Sequence, residues 1–252
     1  MTTSLLTALD GGVLTLTLNR PDKRNALNTE LLDRLHQNVE RADLDADVRV
    51  LVLRGAGKDF CAGADLGELL ASADQSEAEN EASALHLGTL FERLRTIPKP
   101  VIAMVHGRAL AGGAGLATAC DLVVAAADAQ LGYPEIQRGF APAMVTALLR
   151  RIVGEKVALD LVLTGRVLRA EEAERVGLVS RVVPAPELER ATMALAGELA
   201  NSSGTALAFT KRLFYELDGT TLADGIARGA RVNAVARSTP DFRESIARFL
   251  KK

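Results

Sequence analysis

The 252-residue sequence predicts an α/β fold with a mainly parallel sheet, giving way near residue 190 to an all-helical region. Three observations carry this expectation. A strand, loop and helix pattern recurs in "VLVLRGAGKDFCAGADLGELL" (Val50–Leu70), in "VIAMVHGRALAGGAGLATA" (Val101–Ala119), and in "LVVAAADAQLGYPEI" (Leu122–Ile136) with the helical run from Met144. Alternation of this kind means βα units and parallel strands. "VRVLVLRG" (Val48–Gly55) is a continuous apolar run, the type buried on both faces of a sheet covered by helices. Beyond Arg181–Pro184 no strand pattern remains.

In chain order, "VLTLTL" (Val13–Leu18) alternates apolar residues with Thr, as a strand does when one face is less buried. The turn-forming run "NRPDKRNALN" (Asn19–Asn28) ends it. Leu31, Leu32, Leu35 and Val39 then recur at helical spacing, with Asn28 or Thr29 as N-cap. "ASADQSEAENEAS" (Ala71–Ser83) is acidic and almost without large apolar side chains, so it reads as a mobile excursion or a solvated helix face. Four helical patterns close the chain: Glu187–Ala200, Thr205–Leu217, Leu222–Ala236 and Asp241–Leu250. The organisation expected is a βα core over residues 1–190 and a helical part over 191–252.

Composition removes several classes of function. Lys plus Arg total 30 against 32 Asp plus Glu, a net charge of -2, without the basic footprint of a nucleic-acid binder. Two cysteines, Cys61 and Cys120, form no CxxC pair and have no His cluster beside them, which argues against a zinc site and a disulfide scaffold and suits a reducing, cytoplasmic location. The N-terminus lacks a basic segment followed by an apolar one, and no apolar run approaches the roughly 18 residues of a membrane span.

Two loops share a pattern: "FCAGADLG" (Phe60–Gly67) and "ALAGGAGL" (Ala109–Leu116) each place Ala-Gly between a strand and a helix. A helix start leaves N–H groups free, and small residues let a ligand approach them. Two such loops together can hold one oxygen and stabilise negative charge on it without a charged side chain. Taken singly, each loop reads better as close helix-on-sheet packing. Gly113 and Gly115 have the first spacing of a dinucleotide-binding G-x-G-x-x-G, but Thr118 takes the third position and no ribose-binding acid follows suitably. Glu135, in "LGYPEIQRGF" (Leu131–Phe140), is a candidate acid/base whose plainer reading is a solvated loop carboxylate. His36, His86 and His106 receive no role.

The ordered set "NRPDKRNALN", "FCAGADL", "VHGRALAGGAGLATACD", "LGYPEIQRGF", "LTGRVLRAEEAERVGLVSRVV" and the terminal "IARFLKK" resembles the crotonase superfamily, the enoyl-CoA hydratase/isomerase family, from about Thr15 to Lys252. The resemblance implies a spiral of ββα units followed by a helical trimerisation region, assembled as a homotrimer or hexamer. It implies that the N–H groups of Ala64 and Gly112 form an oxyanion hole for the thioester oxygen of an acyl-CoA, with Glu135 as acid/base. Ala62, Asp65 and Leu66 would line the CoA site, Arg24 would lie near its nucleotide, Tyr133 would meet substrate, and Phe249 and Lys252 would close over the nucleotide, often from a neighbouring subunit. No separate cofactor or metal is implied, since CoA is part of the substrate.

One departure stands out. Family hydratases usually carry a second glutamate, and Gly115 occupies its position here. Gly115 is expected to be an open vacancy in the site, able to accept a carboxylate at no cost in backbone stability. The activity implied is that of a hydratase/isomerase acting on an unsaturated acyl-CoA. Its alternatives are β,γ to α,β isomerisation alone, or CoA binding by a scaffold without turnover.

Overall fold

The computed structural model describes residues 3–251 and opens with a hairpin of β1 (Leu5–Asp10) and β2 (Val13–Leu18). Gly11 and Gly12 both have positive φ at its turn, where a side chain would strain the backbone. β1 has no counterpart in the sequence reading. Only Leu5 of its six residues is buried, so pairing with β2, not an apolar pattern, makes it a strand. Next come α1 (Thr29–Leu44), β3 (Val50–Gly55), α2 (Leu66–Ala71), α3 (Glu77–Thr96), β4 (Val101–Val105), β5 (Arg108–Leu110), α4 (Gly112–Ala119), β6 (Leu122–Ala126) and β7 (Gln130–Gly132). α5 (Ala143–Ile152), α6 (Glu155–Thr164), β8 (Val167–Arg169), α7 (Ala170–Arg175), β9 (Arg181–Val183) and α8 (Leu188–Ala200) complete the core. α9 (Gly204–Glu216), α10 (Leu222–Arg237) and α11 (Pro240–Leu250) follow.

The strands form a six-stranded sheet in the order β1-β2-β3-β4-β6-β9, parallel throughout except for β1, and a three-stranded sheet β5-β7-β8. The chain leaves the large sheet at β4, adds β5 to the small one and enters α4. One turn later it repeats this through β6 and β7. This is the expected ββα spiral, with the second strand of each unit only three residues long. Such short segments between glycines lack the length for a readable alternation, so they appeared as loop in the sequence.

α1 starts where expected: the Asn28 side chain accepts from the Leu31 N–H, and Leu31, Leu35, Val39 and Ala42 face the core. The acidic segment resolves as a solvated helix face. Ser76 and Glu79 form a capping box that opens α3, and of its 20 residues only Leu90, Phe91 and Leu94 are buried. The division expected at residue 190 falls inside α8, which packs on β3, β4 and β6 through Leu188, Thr192, Leu195 and Ala196. Full burial stops after α8: no residue of α9, α10 or α11 is fully buried. Among the described residues no helix is long and apolar enough to cross a membrane.

Candidate active site

The first donor loop is shaped by Asn25, which the sequence reading passed over. Arg24 and Asn25 both adopt the left-handed conformation, and the buried Asn25 amide donates to the carbonyls of Ala56, Asp59 and Phe60 while its Oδ1 accepts from the Arg20 N–H. Asn tolerates positive φ better than most residues, so its place in a turn motif was the available signal. The bend brings Leu27 alongside Ala64. Leu27 donates to Gly63 O at 2.8 Å and accepts from Asp65 N at 2.9 Å. In a parallel bridge the residue bonded on both sides leaves its opposite number facing away. The Ala64 N–H therefore points to the far side of its strand, with no partner among the described residues.

That far side is the second loop. Ala111 has φ 50 and ψ -126, a region in which only glycine is at ease, and its N–H donates to Gly132 O at 2.8 Å. Gly112 follows as the first residue of α4, so its N–H is one of the free donors of a helix start. A Cβ built on Gly63 would lie 3.4 Å from the Gly112 nitrogen, and one on Gly112 would lie 3.8 Å from the Ala64 nitrogen. The two unpaired donors are immediate neighbours. Close packing also operates here, at Gly113, where a Cβ would sit 2.4 Å from Cys61 O. Close packing at Gly113 and the unpaired N–H of Gly112 thus occupy adjacent residues of the glycine-rich stretch.

Glu135 lies in a 3-10 turn that Pro134 opens after β7 and Gly139 closes at φ 81. It is no solvated carboxylate: its side chain is in the core at 4 % residue exposure, and its Oε2 has no hydrogen-bond partner. Desolvation raises its pKa above the ordinary range, opposed by its own backbone N–H and by Arg138. The strand before it is stitched to α4 twice, by Ala111 N–H on Gly132 O and by a 2.6 Å bond between the Tyr133 and Thr118 hydroxyls. Tyr133, expected to meet substrate, is fully buried with its hydroxyl bonded to Thr118, which seats the Glu135 loop against α4.

Gly115 requires a second correction. It is not a vacancy: a Cβ there would meet Phe91 Cζ and Val145 Cγ1 at 2.7 Å each. Phe91 from α3 and Val145 from α5 are 2 % and 3 % exposed and fill the space. The sequence could not reveal this, because both residues come from other helices.

Of the residues expected around CoA, Arg24, Ala62, Asp65 and Leu66 lie close together. Ala62 N–H donates to Arg24 O, Asp65 pairs with Arg20 at 2.9 Å and caps α2 at Gly67 N–H, and Leu66 begins α2 exposed. The bond from Arg20 holds the Asp65 carboxyl below its usual pKa range. Phe249 is not brought into this cluster; it is 76 % exposed on α11, which packs on α10. Lys252 lies outside the described residues. Cys61 and Cys120 are both buried free thiols, Cys61 pushed up to about 12 by desolvation.

The fold is a two-sheet ββα spiral that leaves two neighbouring backbone N–H groups and one desolvated carboxylate oxygen without partners. The family model described as enoyl-CoA hydratase/isomerase matches residues 9–252. A Thermus thermophilus protein provisionally named an enoyl-CoA hydratase is 45 % identical over 96 % of each chain, and the 2,3-dehydroadipyl-CoA hydratase of Escherichia coli is 39 % identical over 95 % of this chain and 92 % of its own. Among solved structures, the enoyl-CoA hydratase of Mycobacterium smegmatis superposes with a TM-score of 0.95 at 34 % identity, over 99 % of this chain and 97 % of that one. The chain belongs to the enoyl-CoA hydratase/isomerase family, the crotonase superfamily, and is an enzyme of that family.

Proposed function

We propose that this enzyme moves a proton on an unsaturated acyl-CoA thioester with Glu135 as its single acid/base, shifting a β,γ double bond to the α,β position. The observation that carries this reading is the unpartnered, buried Glu135 Oε2, and the covering of Gly115 leaves no room there for a second carboxylate. The ionised Glu135 takes a proton from the α-carbon: that C–H bond breaks and an O–H bond forms. The electron pair moves toward the thioester oxygen, where the N–H groups of Ala64 and Gly112 hold the negative charge. Glu135 then returns the proton to the γ-carbon as the electron pair moves back. Atoms and charge balance without a metal or redox partner.

Arg24, Ala62, Asp65 and Leu66 are proposed as the lip along which CoA lies. The exposed apolar side chains Phe214, Ile226, Val235, Ile246 and Phe249 on α9, α10 and α11 support assembly as a homotrimer or hexamer. Light scattering at micromolar concentration is expected to give three or six chains; a monomer would contradict this part. For the reaction, rates on a β,γ-enoyl-CoA and on crotonyl-CoA are measured for the parent and Glu135→Gln. Isomerisation is expected to be the faster parent reaction and to fall by about 10²–10⁴-fold in the variant. Retained activity in Glu135→Gln, or crotonyl-CoA hydration faster than isomerisation, would overturn the proposal.

A further inference from the structure

The wall of the site along α4 is dry. Gly112 and Gly115 are one turn apart on the same face of that helix, and Leu87 and Phe91 are one turn apart on α3. Leu87 Cδ2 stands 3.2 Å from the position of a Cβ on Gly112, and Phe91 Cζ 2.7 Å from that on Gly115, so the two stripes run alongside each other. Val145 closes the second position from α5, and Met144 Cγ stands 3.4 Å from a Cβ on Gly88, one turn from Leu85 and between Leu87 and Phe91 in sequence. Between Gly112 and Thr118 every α4 residue is buried, and none offers a polar side chain before Thr118, whose hydroxyl is engaged by Ala114 O and Tyr133. A water molecule is retained in a buried site only where it finds two to four polar partners. The stripe beyond the oxyanion donors offers it no side-chain partner, while the neighbouring Glu135 keeps an unpartnered oxygen.

The geometry points to Phe91 and Val145 as specificity-determining residues: by filling the space over Gly115 they exclude both a second carboxylate and the water it would hold, so the proton taken by Glu135 goes back to the molecule it came from. The inference rests on Glu135 as the acid/base and adds the reason one reaction is chosen over another. Hydration would need a water O–H to break, its oxygen to bond to the β-carbon and a proton to reach the α-carbon. With no polar side chain other than Glu135 itself to hold that water, and the space over Gly115 filled by Phe91 and Val145, the carbon-to-carbon proton shift is the course left open.

The readout is the fate of the proton. A β,γ-enoyl-CoA is isomerised in D₂O, and deuterium in the product is measured at early conversion by mass spectrometry for the parent, Phe91→Ala, the milder Phe91→Leu, and Val145→Ala. The parent is expected to return mainly the substrate's own hydrogen. The variants are expected to raise deuterium incorporation by at least about twofold, in the order of the volume removed, as water enters the cavity. A further pair, Gly115→Glu alone and Phe91→Ala/Gly115→Glu, is assayed on crotonyl-CoA. Hydration is expected to rise about tenfold or more only in the double variant, a gain within the range of a newly placed general acid or base. Circular dichroism identifies which variants fold, and the mildest folded one decides. Full solvent deuterium in the parent product, unchanged incorporation in folded variants, or hydration gained by Gly115→Glu alone would each overturn the inference. Isomerisation that survives Glu135→Gln would instead overturn the acid/base reading, so the two failures are distinct.

Discussion

Replacing Gly115 by Ala isolates the steric question from any chemistry. On an open helix this substitution stabilises by about 1 kcal/mol, because glycine has more backbone freedom to lose. Here the new methyl would stand 2.7 Å from Phe91 Cζ, 2.7 Å from Val145 Cγ1 and 3.0 Å from Phe91 Cε2. Carbon contacts are favourable at about 3.5–4.0 Å, so the overlap approaches 1 Å on two sides. Both neighbours are buried, and the opposite wall is β-sheet, so relaxation means moving α3 or α5 away from α4. Overpacking of this order costs about 1–3 kcal/mol. Set against the gain of about 1, the net loss is about 1 kcal/mol, a fall in Tm of about 2–4 °C for a chain of this size. Thermal melting by circular dichroism measures it. In the pair Gly115→Ala/Val145→Ala, one of the two opposing groups is gone, and the combined loss is expected to fall short of the sum by about 0.5 kcal/mol or more. A Tm raised by a few degrees in Gly115→Ala, with unchanged turnover, would mean that this face of α4 meets open space and would refute the packing argument.

Ionising Glu135 costs stability, because its folded pKa is raised: between the ordinary 4.5 and the folded value the native chain holds a proton the unfolded chain has released. Stability from this group is therefore full below the ordinary value and lost as pH rises through the folded one, so Glu135→Gln is expected to melt above the parent at neutral pH, with the gap closing in acid. The acid limb of the parent's kcat/KM profile is expected above the ordinary carboxylate range and to move higher in Arg138→Gln, since Arg138 lowers that pKa; a limb at or below 4.5 would contradict the burial argument. Ala111→Gly relieves a strained φ of 50 and is expected to stabilise by about 1 kcal/mol after the added chain entropy, read as a higher Tm with the fold retained. The Lys211 side chain on α9 is largely covered and bonds to Asp121 and to the carbonyls of Leu94 and Lys99; Lys211→Met leaves the Asp121 carboxylate without its cation, though still bonded by Tyr215 and the Val101 N–H, and is expected to cost about 3–5 kcal/mol, partly recovered in Lys211→Met/Asp121→Asn. Equal melting of Lys211→Met and the parent would show that this plug does not hold α9 to the core.

Much of the architecture could be read one segment at a time. The span of β2, the Asn28 cap of α1, the buried β3 and the helical chain after residue 187 are encoded locally, in apolar periodicity and in side chains that bond to their own backbone. The ordered motifs were enough to indicate the family, and with it the pairing of two loops, because their sequence order and spacing survive where pairwise contacts vary. β5, β7 and β8 were not legible, since a three-residue strand has no period of its own and exists only through its partners in the second sheet.

At the site, the sequence by itself determined which groups were present: an Ala-Gly before each of two helices, one glutamate after Tyr-Pro, a glycine at position 115. Tertiary structure decided their states. Leu27 bonds on both sides of Ala64 and so turns its N–H toward Gly112; Thr118 takes the Tyr133 hydroxyl, and one oxygen of Glu135 is buried without a partner; Phe91 and Val145, contributed by two other helices, turn an apparent vacancy into a wall. A residue's identity is local, but whether its polar atoms are paired and its space is filled depends on groups far along the chain, and desolvation and packing act only once those groups have met.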